Sequence, residues 1–214
     1  MTAGLVAKGL VAGYRGRSIS KVSYLSVAPG GAAMLGGRSG AGKTTLLLAI
    51  AGLADRLDGA ICLDDVDLAG LPPRRRDRHR GEHIGLVFQD LHLVPGLSAV
   101  DNMLLAPFAS GARPDRARAV ALLERLGVGH RARARAETLS RGEAQRVAIA
   151  RTTLMNPRLI LADEPTASLD DEAAAAVIDL LLEATRESGA ALVVATHDAR
   201  VRARVGQSVE AEAA

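Results

Sequence analysis

Apolar positions along the chain fall into two registers. Residues 5 to 35 read as strands joined by turns: an apolar start at Leu5-Val6, the turn-like Gly13-Tyr14-Arg15-Gly16, alternation through Ile19, Val22, Tyr24 and Leu25, and a turn at Pro29-Gly30. Ala32-Ala33-Met34-Leu35 predicts a short buried strand, and Thr45 to Ala51 a helix ended by Gly52. Asp58-Gly59 opens a further short strand, Ala60-Ile61-Cys62-Leu63, closed by Asp64-Asp65, so a small antiparallel sheet is expected beside a parallel core. A basic helical segment from Pro73 leads to the buried strand Ile84–Phe88, and Gln89 begins a loop.

From about residue 97 to 155 the pattern turns helical. Ser98-x-x-Asp101 is a capping signal; a second helix runs from Pro114 towards Leu126, with Val120, Leu123 and Leu126 on one stripe and Gly127 as its stop. A third follows the capping-box pattern Ser140-Arg141-Gly142-Glu143 and ends before Asn156-Pro157. The α/β pattern then resumes: a buried strand at Leu159–Ala162, a long helix from Asp171 to Ser188 stopped by Gly189, the strand Ala191–Ala195, and His197 just after it. The remainder, with Val205 to Val209 and an acidic alanine end, reads as a compact tail. One α/β domain is expected, with residues 1–90 and 156–214 forming the core and 91–155 a helical insert.

The candidate chemistry starts at Gly37-Arg38-Ser39-Gly40-Ala41-Gly42-Lys43-Thr44, a complete G-x-x-x-x-G-K-[ST] match in the required strand, loop, helix order. Glycines at 37, 40 and 42 let backbone N–H groups curl round an anion at a helix N-terminus, so residues 37 to 45, Thr45 included, form the expected nucleotide-binding set. Lys43 is placed to reach the β/γ-phosphates and Thr44 to ligate Mg²⁺. The strand Leu159–Ala162 ends in Asp163, a second anionic ligand for the metal, and Glu164 follows, a carboxylate able to orient or polarise an attacking water. That tandem points to hydrolysis rather than binding alone.

Composition narrows the class. At 214 residues the chain supports one large domain or a core with a subdomain. No apolar run reaches the ~18 to 20 residues that cross a bilayer, and Met1-Thr2-Ala3-Gly4-Leu5 is not signal-peptide-like, so a cytosolic protein is expected. The single Cys62 excludes an internal disulfide. Net charge is only +3, yet arginines crowd into 74–80 and 131–135. These patches read as solvated surface, with anionic lipid or a protein partner as the alternative. Nucleic acid is disfavoured, since neither patch contains an aromatic ring to stack a base.

With these motifs in place the sequence resembles the ATP-binding cassette family, across most of the chain from Tyr14 to His197. Leu139-Ser140-Arg141-Gly142-Glu143 resembles the family signature LSGGQ, and Ala144 to Arg151 continues it closely. Gln89 falls where the family has its Q-loop, Ser168-Leu169-Asp170 its D-loop, His197 its switch histidine, and Tyr14 the aromatic that stacks on adenine. The resemblance implies a P-loop NTPase fold, ATP and Mg²⁺ as cofactors, Thr44, Gln89 and Asp163 at the metal, and Lys43, Gln89, Glu164 and His197 in catalysis. It implies two copies packed head to tail, so that Ser140, Gly142 and Asp170 of one face the nucleotide of the other. Two departures stand out: Arg141 replaces a glycine, and Glu143 replaces a glutamine.

Glu143, the run Phe88-Gln89-Asp90-Leu91-His92-Leu93-Val94-Pro95 and Ala162-Asp163-Glu164-Pro165-Thr166 resemble the branch serving lipoprotein release and macrolide export. That branch implies a separate permease with few transmembrane helices and a large extracytoplasmic domain, and a motor subunit on the inner face of the membrane. A cell-division-type cassette that signals across the membrane without transport fits the same motifs. A DNA-repair-type cassette fits less well, because the interval from Gln89 to Ser140 leaves no room for a long coiled coil.

Overall fold

The computed structural model describes residues 4–167 and 169–214. Two five-stranded sheets organise them. Strands β1 (Leu5–Tyr14), β2 (Arg17–Val27), β4 (Asp55–Leu63), β5 (Val66–Asp67) and β10 (Glu212–Ala213) form an antiparallel sheet in the order β10-β2-β1-β4-β5. Strands β3 (Ala32–Gly36), β6 (Ile84–Val87), β7 (Leu159–Asp163), β8 (Ala191–Ala195) and β9 (Ser208–Glu210) form a parallel sheet, β6-β7-β8-β3-β9. This is the expected P-loop NTPase architecture.

Helix α1 (Lys43–Ile50) is wedged between the sheets. Six of its eight residues are buried, so it is apolar on nearly every side, as a helix covered on both faces must be. It shares one core with Leu5, Leu10, Leu25, Leu35, Leu159 and Val193. Removing side chains such as fully buried Leu46 from water stabilises the fold by roughly 1.5–3 kcal/mol each. The other face of the parallel sheet is covered by α6 (Asp171–Ser188), with Val177, Ile178 and Leu181 inward, and by Val201 of α7 (Ala199–Val205). Asp170 caps α6 through Oδ1, and Gly189, at φ 67°, ends it.

A third core lies among α3 (Ala99–Ser110), α4 (Arg116–Arg125) and α5 (Arg141–Thr153), centred on Val100, Met103, Leu123, Val147 and Ala150. The capping signals act as expected: the Ser98 Oγ accepts from the Asp101 N–H, and Ser140 and Glu143 form a reciprocal capping box. Helix α2 (Pro73–His83) has no fully buried residue; Arg74, Arg75 and Arg78 face solvent, whereas Arg76 and Arg80 are half-buried and Arg76 packs beside Gly52.

Two expectations need correction. Asp58-Gly59 does not open a strand; it lies inside β4, which starts at Asp55. Gly59, at φ 81°, passes so close to Gly9 that an added Cβ would lie 2.3 Å from the Gly9 carbonyl oxygen, and the β1–β4 register shifts beside it. The C-terminal residues are not a mere tail: β9 pairs with β3 and β10 with β2, stitching both sheets behind the phosphate-binding loop. Such short polar strands carry no alternation to read in advance.

Candidate nucleotide site

The loop between β3 and α1 is held in shape from below. Gly37, Gly40 and Gly42 have φ of 136°, 79° and 79°. Gly42 caps α1 with no side-chain hydrogen bond, so the first N–H groups of the helix stay open to an anion. An added Cβ at Gly42 would lie 2.6 Å from the Cβ of Ser20. Ser20 is fully buried, and its hydroxyl donates to the Ala41 carbonyl at 2.5 Å. The sequence reading missed Ser20, whose role comes from strand pairing that no local motif announces.

Lys43 is only 8% exposed. Its Nζ donates to the carbonyls of Gly37 and Arg38 at 3.1 and 3.4 Å and lies 3.7 Å from Glu164 Oε1. The Thr44 hydroxyl donates to Asp163 Oδ2 at 2.8 Å, while the buried Asp163 Oδ1 has no hydrogen-bond partner among the described residues. Burial pushes the Asp163 carboxyl above its ordinary range; the Thr44 hydroxyl opposes that, the Glu164 charge adds to it, and Lys43 offsets part.

Glu164 adopts φ 44°, unusual for a non-glycine residue. Its backbone N–H donates to the Ala195 carbonyl at 2.8 Å, fixing the turn out of β7. The carboxylate accepts from the Thr196 hydroxyl at 2.6 Å through Oε2, and Oε1 lies 3.0 Å from His197 Nδ1. A strained backbone held by several contacts keeps one carboxylate oriented towards the loop.

These groups line a cleft of about 380 Å³, with Ser39, Gly40, Gly42, Lys43 and Thr44 on one side and Gln89, Glu164, Ala167 and His197 on the other. Other predicted site residues stand apart from it. Gly37, Arg38 and Ala41 shape the loop, and Thr45 is buried within α1. Tyr14 ends β1, 42% exposed at the hairpin tip. Ser140 and Gly142 begin α5, where a Cβ on Gly142 would meet nothing within 4 Å. Arg141 is exposed and donates to the Ala167 carbonyl at 3.2 Å. Asp170 caps α6, and Ser168 lies outside the described residues.

The donor set suits a hard cation. Thr44 and Asp163 supply oxygens, and the unpartnered Asp163 Oδ1 is a buried acceptor waiting for one. Among the described residues no three His, Cys, Asp or Glu side chains gather as a metal cage.

Comparison with known proteins agrees with this geometry. Residues 21–167 match the family described as ABC transporter. The chain is 41% identical over 217 residues to the lipoprotein-releasing system ATP-binding protein LolD of Cereibacter sphaeroides, covering 98% of this chain and 96% of that protein. It is 39% identical over 186 residues to the ABC transporter ATP-binding protein YtrE of Bacillus subtilis, covering 86% and 80%. Among solved structures it resembles the dimeric post-hydrolysis state of the ATP-binding cassette MJ0796 bound to ADP and Pi, with TM-score 0.82 and 32% identity over 97% of this chain and 94% of that one. A P-loop, a paired aspartate and glutamate and a histidine converge on one cleft in this fold, and the chain belongs to the ABC transporter family as one of its ATP-hydrolysing cassettes.

Proposed function

We propose that the chain is the motor subunit of a membrane transporter, working as a pair of cassettes on a separate permease, in lipoprotein or lipid extraction or export. One observation carries the pairing: the cleft of a single chain gathers Lys43, Glu164 and His197 but leaves out the first turn of α5 at Ser140 and Gly142, where a Cβ on Gly142 would meet nothing within 4 Å. A second copy supplies that element, as the dimeric form of MJ0796 supports. Residues 91–155 act as the helical subdomain that presents it, and 1–90 with 156–214 as the nucleotide-binding core.

In this reading Lys43 and the loop N–H groups bind the β- and γ-phosphates, and Arg38, Ser39, Ala41 and Thr45 complete the loop. Tyr14 stacks on adenine. Thr44, Asp163 and Gln89 hold Mg²⁺, which neutralises phosphate charge. Glu164 orients the attacking water towards the γ-phosphate, and its hydrogen bond from Thr196 and contact with His197 keep it aimed there. Ser140, Gly142 and Asp170 complete the site of the partner copy.

The permease binds beside Gln89. An apolar groove lined by Ile84, Leu86, Phe88, Leu105, Ala109 and Met155 adjoins the Gln89 loop, and Phe108 is 75% exposed near it. Leu93 packs partly into the helical core, whereas Val94 is 43% exposed. A cytoplasmic apolar segment of a few-helix permease with a large extracytoplasmic domain seats there, placing the chain on the inner face of the membrane. No helix among the described residues is long and apolar enough to cross a membrane itself. Purification of the tagged chain from membranes tests this: a co-purifying integral membrane permease is expected, and recovery with a membrane-bound enzyme of the cell wall instead would replace transport by signalling.

A further inference from the structure

The segment after β8 carries a polar cluster that the motifs do not include. Asp198 accepts the Arg200 backbone N–H at 2.9 Å. The Arg200 guanidinium grips the same carboxylate, with Nε 3.0 Å from both oxygens and Nη2 2.7 Å from Oδ2. Its remaining arm reaches across the molecule, Nη1 donating to Asp171 Oδ1 at 2.6 Å and to the Leu169 carbonyl at 3.5 Å. Thr166 donates to Asp198 Oδ2 at 2.6 Å. Arg200 therefore ties the segment leaving β8 to the segment leaving β7.

The cluster is continuous with the cleft. The Asp198 N–H donates to the Thr196 hydroxyl at 3.1 Å, and that hydroxyl donates to Glu164 Oε2 at 2.6 Å. One hydrogen-bonded path thus runs from Glu164 through Thr196, Asp198 and Arg200 to the start of α6, beside Asp170. The fork geometry of arginine is needed for it: a lysine presents one point charge and cannot hold Asp198 bidentately while also reaching Asp171. The Asp198 arm is the stronger, since that side chain is 14% exposed and Asp171 is 95% exposed.

We propose that Arg200 is a positioning residue for ATP hydrolysis, clamping the post-β7 and post-β8 segments into one rigid unit so that Glu164, His197 and Asp170 keep a fixed mutual geometry. The inference rests on the reading of Glu164 as the residue that orients water. Its effect falls on the chemical step, because Arg200 touches neither the phosphate-binding loop nor Lys43. Misplacement of a catalytic group by about 1 Å costs on the order of 100-fold in rate, so loosening the clamp should cost at least about tenfold.

The test uses the purified full chain, with steady-state ATPase, titration of a fluorescent ATP analogue and thermal unfolding for Arg200→Gln, Arg200→Lys and, as reference, Glu164→Gln. Arg200→Gln is expected to lower kcat about tenfold or more, with KM and analogue affinity within about twofold, and Arg200→Lys to fall between it and the parent. A parental kcat in either Arg200 variant overturns the proposal, as does a loss that appears only in nucleotide affinity or only in proportion to unfolded protein. Glu164→Gln separates the two layers: full ATPase there removes the underlying reading, whereas an inactive Glu164→Gln with a fully active Arg200→Gln removes the clamp alone.

Discussion

The Thr44 hydroxyl donates to Asp163 Oδ2 at 2.8 Å and so joins the first turn of α1 to the end of β7, leaving Asp163 Oδ1 buried with no partner among the described residues. Two segments far apart in sequence thereby present oxygens to one point. An unpaired buried carboxylate oxygen costs free energy in the empty protein, which a bound cation would recover. Asp163→Asn should therefore keep or raise the thermal stability of the nucleotide-free chain and lose the extra stabilisation that Mg²⁺ adds to ATP. Differential scanning fluorimetry with ATP, with and without Mg²⁺, reads both; an unchanged Mg²⁺ increment in the variant would move the metal elsewhere.

Lys43→Ala should weaken nucleotide binding by about one to two decades, the worth of a charge-assisted hydrogen bond of roughly 1.5–3 kcal/mol. ATPase should be lost with it. Titration of a fluorescent nucleotide checks the first, and undiminished ATPase in the purified variant would displace the active site from this cleft.

Gly42→Ala tests the floor of the loop. The added Cβ meets the Ser20 Cβ at 2.6 Å, and φ of 79° is strained for any L side chain. A loss of roughly 1–3 kcal/mol is expected from urea unfolding. Ser20→Ala removes the hydroxyl that reaches the carbonyls of Ala41 and Glu212 and should cost about 1 kcal/mol.

Asp198 predicts an acid limb. Its carboxyl is held well below the usual range, first by hydrogen bonds from the Arg200 side chain, against the opposing effect of burial, with Thr166 and the Arg200 N–H adding to the shift. A depressed folded-state pKa means its stabilisation is present above the unfolded value of about 3.9 and is lost as pH falls through the lower folded value. Asp198→Asn should accordingly flatten the decline in stability below about pH 4, measured by denaturant unfolding across pH. An unchanged acid limb would show that the pair with Arg200 adds nothing to folding.

Much of this was legible in the chain itself. Helix α6 stops where Gly189 says it should, because a left-handed glycine acts locally. Loop residues, Gln89, Glu164 and His197 line one cleft, and Asp163 joins it through Thr44. What stayed hidden depends on pairing between distant segments: Ser20 beneath Ala41, Arg200 between Asp198 and Asp171, and β9 and β10 behind the loop.

In the proposed function ATP joins two copies, each completing the other's site. Sedimentation velocity of Glu164→Gln with ATP and Mg²⁺ tests it most directly, because the amide keeps the shape of the side chain while slowing hydrolysis. A dimer that reverts to monomer when ATP is replaced by ADP is expected. A strictly monomeric Glu164→Gln protein with ATP demonstrably bound would contradict it.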